Sequence, residues 1–423
     1  MMHAAVYSNS NVIEKDAKRL RPCVSILGIR GVPAGHGGFE TFTARLAPQL
    51  VSSGWDVTVY CQEDEAPPAA PSGPGHSAWE STWEGVKRVH LQVGPDTPLN
   101  SIKFDLRCIA DVLERRPDLV LILGYNTAIF ALRLRLAGIP TVFNMDGVEW
   151  QRDKWGLIAR AWLYMNDWAA CLIACHLIAD HPQIERHLES RVRRGKITVI
   201  PYGADILEPA PDDPRHAAEL RNVGLSSMKY ATLIARAEPE NSVLELVRAF
   251  SARPRGIKLA VLGSYEPNKV AYHAKVLAAA GPEVIFLGAI YDISVVQNLR
   301  RHCLLYLHGH RVGGCNPSLL EAMGAGNPVL AHRNRFNCWV AGQGARYFLG
   351  VQDCDLMLTA MLRDPAELLS KGQINRRRAG DIFNWSDVLQ SYGELLADAR
   401  SGVVAGGFHW GRRPHWQLDG DVS

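Results

Sequence analysis

The chain has 423 residues, of which 47% are hydrophobic and 21% charged, and its formal net charge is +3. That length predicts two domains, and the composition is that of an ordinary globular protein, excluding a disordered or fibrous one. So small a charge makes no case for a nucleic-acid binder.

Residues 1–21 are polar, lack the apolar core of a signal peptide, and read as a loose tail. Cys23–Ile29 (CVSILGI) is a short apolar run ending at glycines, as a buried parallel strand does. A glycine loop over 30–38 follows, then a helix over 39–53 stopped by Gly54, then a strand over 56–60. Strand, helix, strand is the start of a doubly wound α/β domain. Residues 62–82 hold Pro67, Pro68, Pro71 and Pro74 among Ala, Ser and Gly, and read as a surface loop. Strands are then predicted at 86–93, 118–124, 139–144, 176–180 and 197–201, with helices at 101–116, 126–137, 157–172 and 182–190.

Residues 202–228 carry three prolines and several acids and mark the domain boundary. A second series follows, with strands at 230–235, 257–262, 283–287, 303–307 and 327–331 and helices at 241–252, 268–280, 292–301 and 317–325. Three more helices, at 352–363, 365–381 and 385–400, close it. The predicted organisation is a tail (1–21), a first domain (22–205), a second (206–384), a closing helix (385–402) placed to pack back on the first domain, and a Gly-rich tail (403–423).

The nine cysteines (23, 61, 108, 171, 175, 303, 315, 338 and 354) are scattered and odd in number. Cys171-x3-Cys175-His176 lacks zinc spacing and sits in an apolar run, so buried thiols in a reducing cytoplasm are expected. The most apolar run, Trp168–Ala179, is about 12 residues and too short to span a bilayer, which leaves any membrane role peripheral.

Several stretches can carry chemistry. The first glycine loop, with Gly37 and Gly38 before Glu40, fits neither G-x-G-x-x-G nor a P-loop, but it allows backbone to approach a ligand. Asp146 and Glu149 flank Gly147 near Trp150, a set that can bind sugar hydroxyls and stack on a sugar face, or cap a helix. Arg236 follows a strand and suits a diphosphate, and Asn241 or Ser242 can cap the next helix. His308 and His310 are spaced i,i+2, which at a strand end is expected to splay them, so no metal is expected; one lining a cleft is the better reading. Gly313, Gly314, Asn316 and Ser318 form a glycine turn and helix start with free N–H groups for a phosphate, and Glu321 lies inside that helix.

Five stretches, Gly28–Phe42 (GIRGVPAGHGGFETF), Asp146–Trp150 (DGVEW), Ile200–Asp205 (IPYGAD), Arg236–Asn241 (RAEPEN) and His308–Met323 (HGHRVGGCNPSLLEAM), occur in that order. Together they resemble the bacterial rhamnosyltransferase-like branch of family-4 retaining glycosyltransferases, over about residues 23–398. The resemblance implies an α/β fold of GT-B architecture, two Rossmann-like domains facing a central cleft, and a metal-independent enzyme with no cofactor beyond its nucleotide-sugar donor. It implies that Glu321 binds the nucleotide ribose, Arg236 the diphosphate, the Gly313–Ser318 backbone the sugar and phosphates, and Gly37 and Gly38 the diphosphate and acceptor. Gly313 stands where the wider family has a sugar-side glutamate, and Asn241 where it has a diphosphate lysine; the branch shares both departures.

The expected reaction moves L-rhamnose from dTDP-L-rhamnose to a polyprenyl-diphosphate-linked saccharide at the inner membrane face, with Asp146 orienting acceptor or sugar. A nucleotide-sugar 2-epimerase and a catalytically silent partner subunit are the alternatives. Trp155, Trp162 and Trp168, beside Arg152, Lys154 and Arg160, suit contact with a membrane surface, and equally suit packing of a helix.

Overall fold

A computed structural model describes residues 21–402 apart from 34–36, 66–77, 96, 153 and 209–213. Both expected tails and most of the proline-rich stretch lie outside the described residues. Fourteen strands form two sheets among them. The first holds β1 (Cys23–Leu27), β2 (Asp56–Glu63), β3 (Ala78–Trp83), β4 (Val86–Gln92), β5 (Leu119–Leu123), β6 (Thr141–Met145), β7 (His176–Ala179) and β8 (Ile197–Val199). The second holds β9 (Tyr230–Ile234), β10 (Lys258–Leu262), β11 (Val284–Gly288), β12 (Leu305–His308), β13 (Val329–His332) and β14 (Ala345–Phe348).

The orders are β3-β4-β2-β1-β5-β6-β7-β8 and β11-β10-β9-β12-β13-β14, and every pairing is parallel except β3 with β4. These are two Rossmann-like halves. Buried on both faces, the central strands are continuous apolar runs such as Leu119–Leu123 (LVLIL), fully or nearly buried. Each sheet reverses its winding at one place, between β1 and β5 and between β9 and β12. Crevices at such switch points are where ligands enter doubly wound sheets.

The structure corrects the sequence reading in several places. The loop expected over 62–82 is in part strand, because β2 runs to Glu63 and β3 pairs antiparallel with β4 from Ala78. β3 escapes detection because only alternate side chains are partly buried on an edge strand. Helices Pro214–Asn222 and Arg335–Ala341, and strand β14, are additional; all are short. The helix expected at 126–137 is a 3-10 turn, Ala128–Ala131, followed by Leu132–Leu136. Cys175 is exposed, one residue beyond the end-cap of helix Leu157–Ile173, while Cys171 inside that helix is buried.

The last helix, Trp385–Ser401, does not stay with the second sheet. Its Trp385, Val388, Tyr392, Leu395 and Leu396 share one core with Val24, Phe42 and Leu46 of the first domain. The chain therefore crosses between the halves twice, and the crossings are tied by an Ala204 N–H donating to the Phe383 carbonyl at 2.6 Å. Gly203 is required there: a Cβ would lie 2.3 Å from the Trp385 ring.

Candidate active site

Between the two sheets lies a cavity of about 660 Å3, lined from both sides by loops that follow the carboxyl ends of strands. Asp146 follows β6, Asp180 follows β7, and Ile200–Tyr202 follow β8. From the second domain, Arg236 follows β9, Ser264 follows β10, Tyr291 follows β11, and His310–Ser318 follow β12. Of the residues singled out in the sequence, Gly38, Glu40, Asp146, Arg236, Asn241, His310, Gly313, Gly314, Asn316 and Ser318 all line it.

Two helices start at this cavity, one from each domain. Gly38–Ser52 begins after Gly37, whose φ of 109° lies in the region that favours glycine. No side chain caps it, so its first N–H groups keep their capacity for a ligand. Glu40 lies in its first turn and accepts from the Arg30 N–H at 3.1 Å. Helix Pro317–Gly324 is capped by Asn316, which accepts from the Ser318 N–H at 3.0 Å, while Ser318 Oγ donates to the same oxygen. The helix after Arg236 behaves differently: neither Asn241 nor Ser242 caps Val243–Ser251 with its side chain. Asn241 is buried and its amide donates to the Arg236 carbonyl at 2.9 Å, holding the loop that presents Arg236. Arg236 itself is 69% exposed at the side chain, with only a loose approach to Glu238 at 3.8 Å.

The first-domain wall is denser in charge. Asp180 is buried and Asp146 half-buried; loss of water raises the pKa of both carboxyls, and the neighbouring Asp180 raises that of Asp146 further, so the pair favours holding a proton. One Asp180 oxygen accepts from the Cys315 N–H at 2.8 Å, and Cys315 Sγ donates to the Asp180 carbonyl at 2.9 Å. This clamp joins the domains. It also dictates Gly314, where a Cβ would fall 2.1 Å from the Asp180 carboxylate oxygens. Gly313 is glycine for another reason: its φ is 121°, and its open side faces the cavity.

Glu149 does not line the cavity. It turns to Arg152, pairing at 2.7 Å, and Arg152 also reaches Glu240 of the second domain at 3.0 Å. The 3-10 turn Glu149–Gln151, with Arg152 at its end, brings this i,i+3 pair together. Arg152 does line the cavity, as a cation that sequence reasoning did not assign to the cleft chemistry. His308 and His310 do not splay; their rings stack at 4.5 Å, tilted by only 11°. Burial, with Arg236 and Arg152 nearby, drives His310 down to about 3, so it is neutral at physiological pH. No group of three or more His, Cys, Asp or Glu among the described residues could hold a metal.

Glu321 lies one turn down its helix, in a side pocket of about 140 Å3 with Thr41, Arg45, Asp205 and Arg300. It pairs with Arg300 at 2.5 Å and remains partly exposed. Tyr291 lines both spaces, so the side pocket adjoins the main cavity. Sequence reasoning missed Asp180, Tyr291 and Tyr392 altogether. Asp180 had a signal, an acid directly after the buried run His176–Ala179, the pattern that singled out Arg236. Tyr392 had none, because it arrives from the closing helix to receive a 2.6 Å hydrogen bond from the Asn144 amide.

Residues 37–203 match the Glycosyl transferase 4-like domain family. Comparison with curated proteins finds no match. Among solved structures, sucrose-phosphate synthase from Thermosynechococcus elongatus is similar at a TM-score of 0.74 and 18% identity, covering 90% of this chain and 100% of that one. HepE from Anabaena, solved with UDP, is similar at 0.68 and 15%, covering 89% and 100%. An α,α-trehalose-phosphate synthase from Burkholderia vietnamiensis is similar at 0.63 and 13%, covering 90% and 100%. The architecture is GT-B, and with the matched domain it marks the chain as a transferase enzyme of the glycosyltransferase class.

Proposed function

We propose that this protein is a retaining glycosyltransferase that takes a sugar from a nucleoside diphosphate, with L-rhamnose from dTDP-L-rhamnose as the donor best matched by its motifs. The acceptor is a lipid-linked saccharide in bacterial exopolysaccharide, capsule or O-antigen synthesis. The observation that carries the reading is the convergence on one cavity of Arg236, the Gly313–Ser318 backbone and two helix N-termini from opposite sheets. All are groups that stabilise phosphate charge. HepE, solved with UDP and with UDP-glucose, supports a nucleotide-sugar donor.

The leaving group is a nucleoside diphosphate, so the main task is to stabilise charge as the glycosidic C–O bond breaks. Arg236 meets the diphosphate from the second domain. Arg152, held between Glu149 and Glu240, supplies the second cation in place of the family lysine whose position is Asn241. The backbone of 314–318 takes over the sugar contacts that a side chain at Gly313 would make. With no nucleophile assigned, the transition state is oxocarbenium-like, and the departing phosphate takes the acceptor proton on the same face, giving retention. Asp146 orients a sugar or acceptor hydroxyl, and Glu321 reaches the ribose through the adjoining pocket.

A thermal-shift screen of dTDP-, UDP- and GDP-sugars tests the donor, because a ligand of the native state raises its melting point. A rise with the dTDP-sugar is expected, and no rise with any of the three rejects the donor reading. Epimerised donor in the absence of acceptor rejects transfer.

A further inference from the structure

The helix Leu157–Ile173 has an outward face that its own fold does not cover. Leu157 is 85% exposed and Ile158 89%, and Tyr164, Met165, Trp168 and Leu172 follow on the same side. Their spacing keeps them on one stripe of a 3.6-residue helix, and the stripe runs for ~23 Å. Trp162, in contrast, is turned inward, donating to the Asn126 carbonyl at 2.8 Å. Leu132 and the 79% exposed Leu136 extend the patch from the neighbouring short helix. Arg135 of that helix donates to the Leu172 carbonyl at 2.7 Å, which fixes the two together. Eight of the eighteen exposed large hydrophobic residues among the described ones fall in this 41-residue span, 132–172. Apolar surface gathered this way marks an interaction site, whereas single exposed residues need no explanation.

Among the described residues, the exposed charges at the two ends of the stripe are cationic. Lys154 stands before its start, over the Trp155 ring at 4.8 Å. Arg135 and Lys196 meet the carbonyls at its end, Lys196 reaching that of Cys171 at 2.7 Å, and Arg133 is exposed beside Leu132. Among the described residues, the carboxylates nearest the stripe are already partnered: Asp167 is buried against His187 and Arg191, and Glu149 pairs with Arg152. A second copy laid on this helix in either direction would bring cationic ends against cationic ends. An anionic surface has no such conflict. Tyr164 and Trp168 are side chains that favour the level of lipid headgroups, and no described helix is long and apolar enough to cross a membrane.

We infer that Leu157–Ile173 is an in-plane anchor that seats the first domain on an anionic lipid bilayer. The helix starts five residues after the cavity-lining Arg152, so an anchored chain would hold its cleft mouth close to the headgroups. The inference deepens the transferase reading, and rests on it for the purpose of the surface: a lipid-linked acceptor is met where it is embedded.

The test is co-sedimentation of the full chain with phosphatidylcholine vesicles, with and without phosphatidylglycerol, comparing wild type with the double variant Ile158→Glu/Met165→Glu. Wild type is expected to bind the phosphatidylglycerol vesicles and to be released by salt, as screening requires. The variant is expected to bind at least about tenfold less, at an unchanged melting point, since both positions are exposed. Equal binding by variant and wild type overturns the inference. So does a wild-type dimer that the variant converts to monomer while vesicle binding is unaffected. The melting-point rise with nucleotide sugar is read on the same samples. Its loss in wild type would fell the transferase reading alone, whereas its persistence beside absent vesicle binding would fell the anchor alone.

Discussion

The two walls of the cleft do the same job with different materials. The second-domain wall is mostly backbone: a glycine turn, a capped helix start and one well-exposed arginine, Arg236. The first-domain wall is mostly buried side chain, with Asp146 and Asp180 repelling one another and Arg152 held between two glutamates. A wall of peptide groups costs little when empty, because its N–H groups face solvent. A wall of buried charges is stable only while each group keeps its partner or its proton. On the proposed reading, the second domain supplies most of the affinity for phosphate, and the first supplies the pH-sensitive contacts and the clamp.

The largest effect separating these roles is expected from Arg236→Ala. Removing a preorganised electrostatic contact typically costs about 10²–10³ in kcat, and a side chain that is 69% exposed contributes little to folding. Steady-state kinetics should therefore show a fall of that size at a melting point close to wild type. A fall under tenfold would move the phosphate-binding role to Arg152 and break the assignment of the two walls.

Next comes Gly314→Ala. The added Cβ would meet the Asp180 carboxylate, so either the Cys315 bond or the approach of the domains must give way. A misplacement of about 1 Å at a reacting centre can cost about 10²-fold in rate, and a loss of that order is expected together with a lower melting point. Asp180→Ala in the same chain removes the obstacle, so the double variant should lose much less than the sum of the singles. Strict additivity in the kinetics would show that the clamp is not what positions the loop.

How much of this was legible in the chain follows the same division. The second wall lies within two short stretches, Arg236–Asn241 and His308–Met323, where glycine turns and caps are local and readable. The strand and helix alternation behind them was readable for the same reason, since apolar runs bounded by Gly and Pro report burial directly. The first wall is assembled from Asn144, Asp146, Arg152, Asp180 and Tyr392, which only the topology brings together. The Arg152 pairing with Glu240 and the Tyr392 contact with Asn144 span 88 and 248 residues, and no periodicity encodes them. Stacking of His308 on His310 escaped because strand-end residues are free of the alternation that the strand itself imposes.

A smaller effect is expected at the side pocket. Glu321 contacts Arg300 and has part of its carboxylate open to the space beside Tyr291. If it accepts from a ribose hydroxyl, Glu321→Gln weakens a charge-assisted hydrogen bond worth about 1.5–3 kcal/mol. The nucleotide Kd measured by calorimetry should then rise about tenfold or more, with kcat at saturation near wild type. An unchanged Kd would place the ribose elsewhere along the main cavity and leave Glu321 as a structural partner of Arg300.

The smallest effect concerns pH and the rim where the first domain meets the second. His181 stacks edge-on against Trp339 at 4.5 Å, accepts from the Gln183 N–H through Nδ1, and approaches the Phe336 carbonyl through Nε2 at 3.3 Å. Accepting at Nδ1 requires the neutral ring, and burial drives its pKa down to about 3. Unfolded, the ring returns to about 6.5. Between those values the unfolded chain binds the extra proton, so stability rises with pH across the window and is lost as pH falls from about 6.5 toward 3. His310 acts in the same direction, while the raised carboxyls of Asp146 and Asp180 act against it. His181→Asn keeps a side-chain acceptor for the Gln183 N–H but cannot take up that proton. Its curve of melting point against pH should be shallower than the wild-type curve between about pH 4.5 and 6.5, by roughly 2 kcal/mol or several degrees. Parallel curves would mean that the rim of the interface admits water before the rest of the fold yields, so that His181 takes up its proton without unfolding the chain.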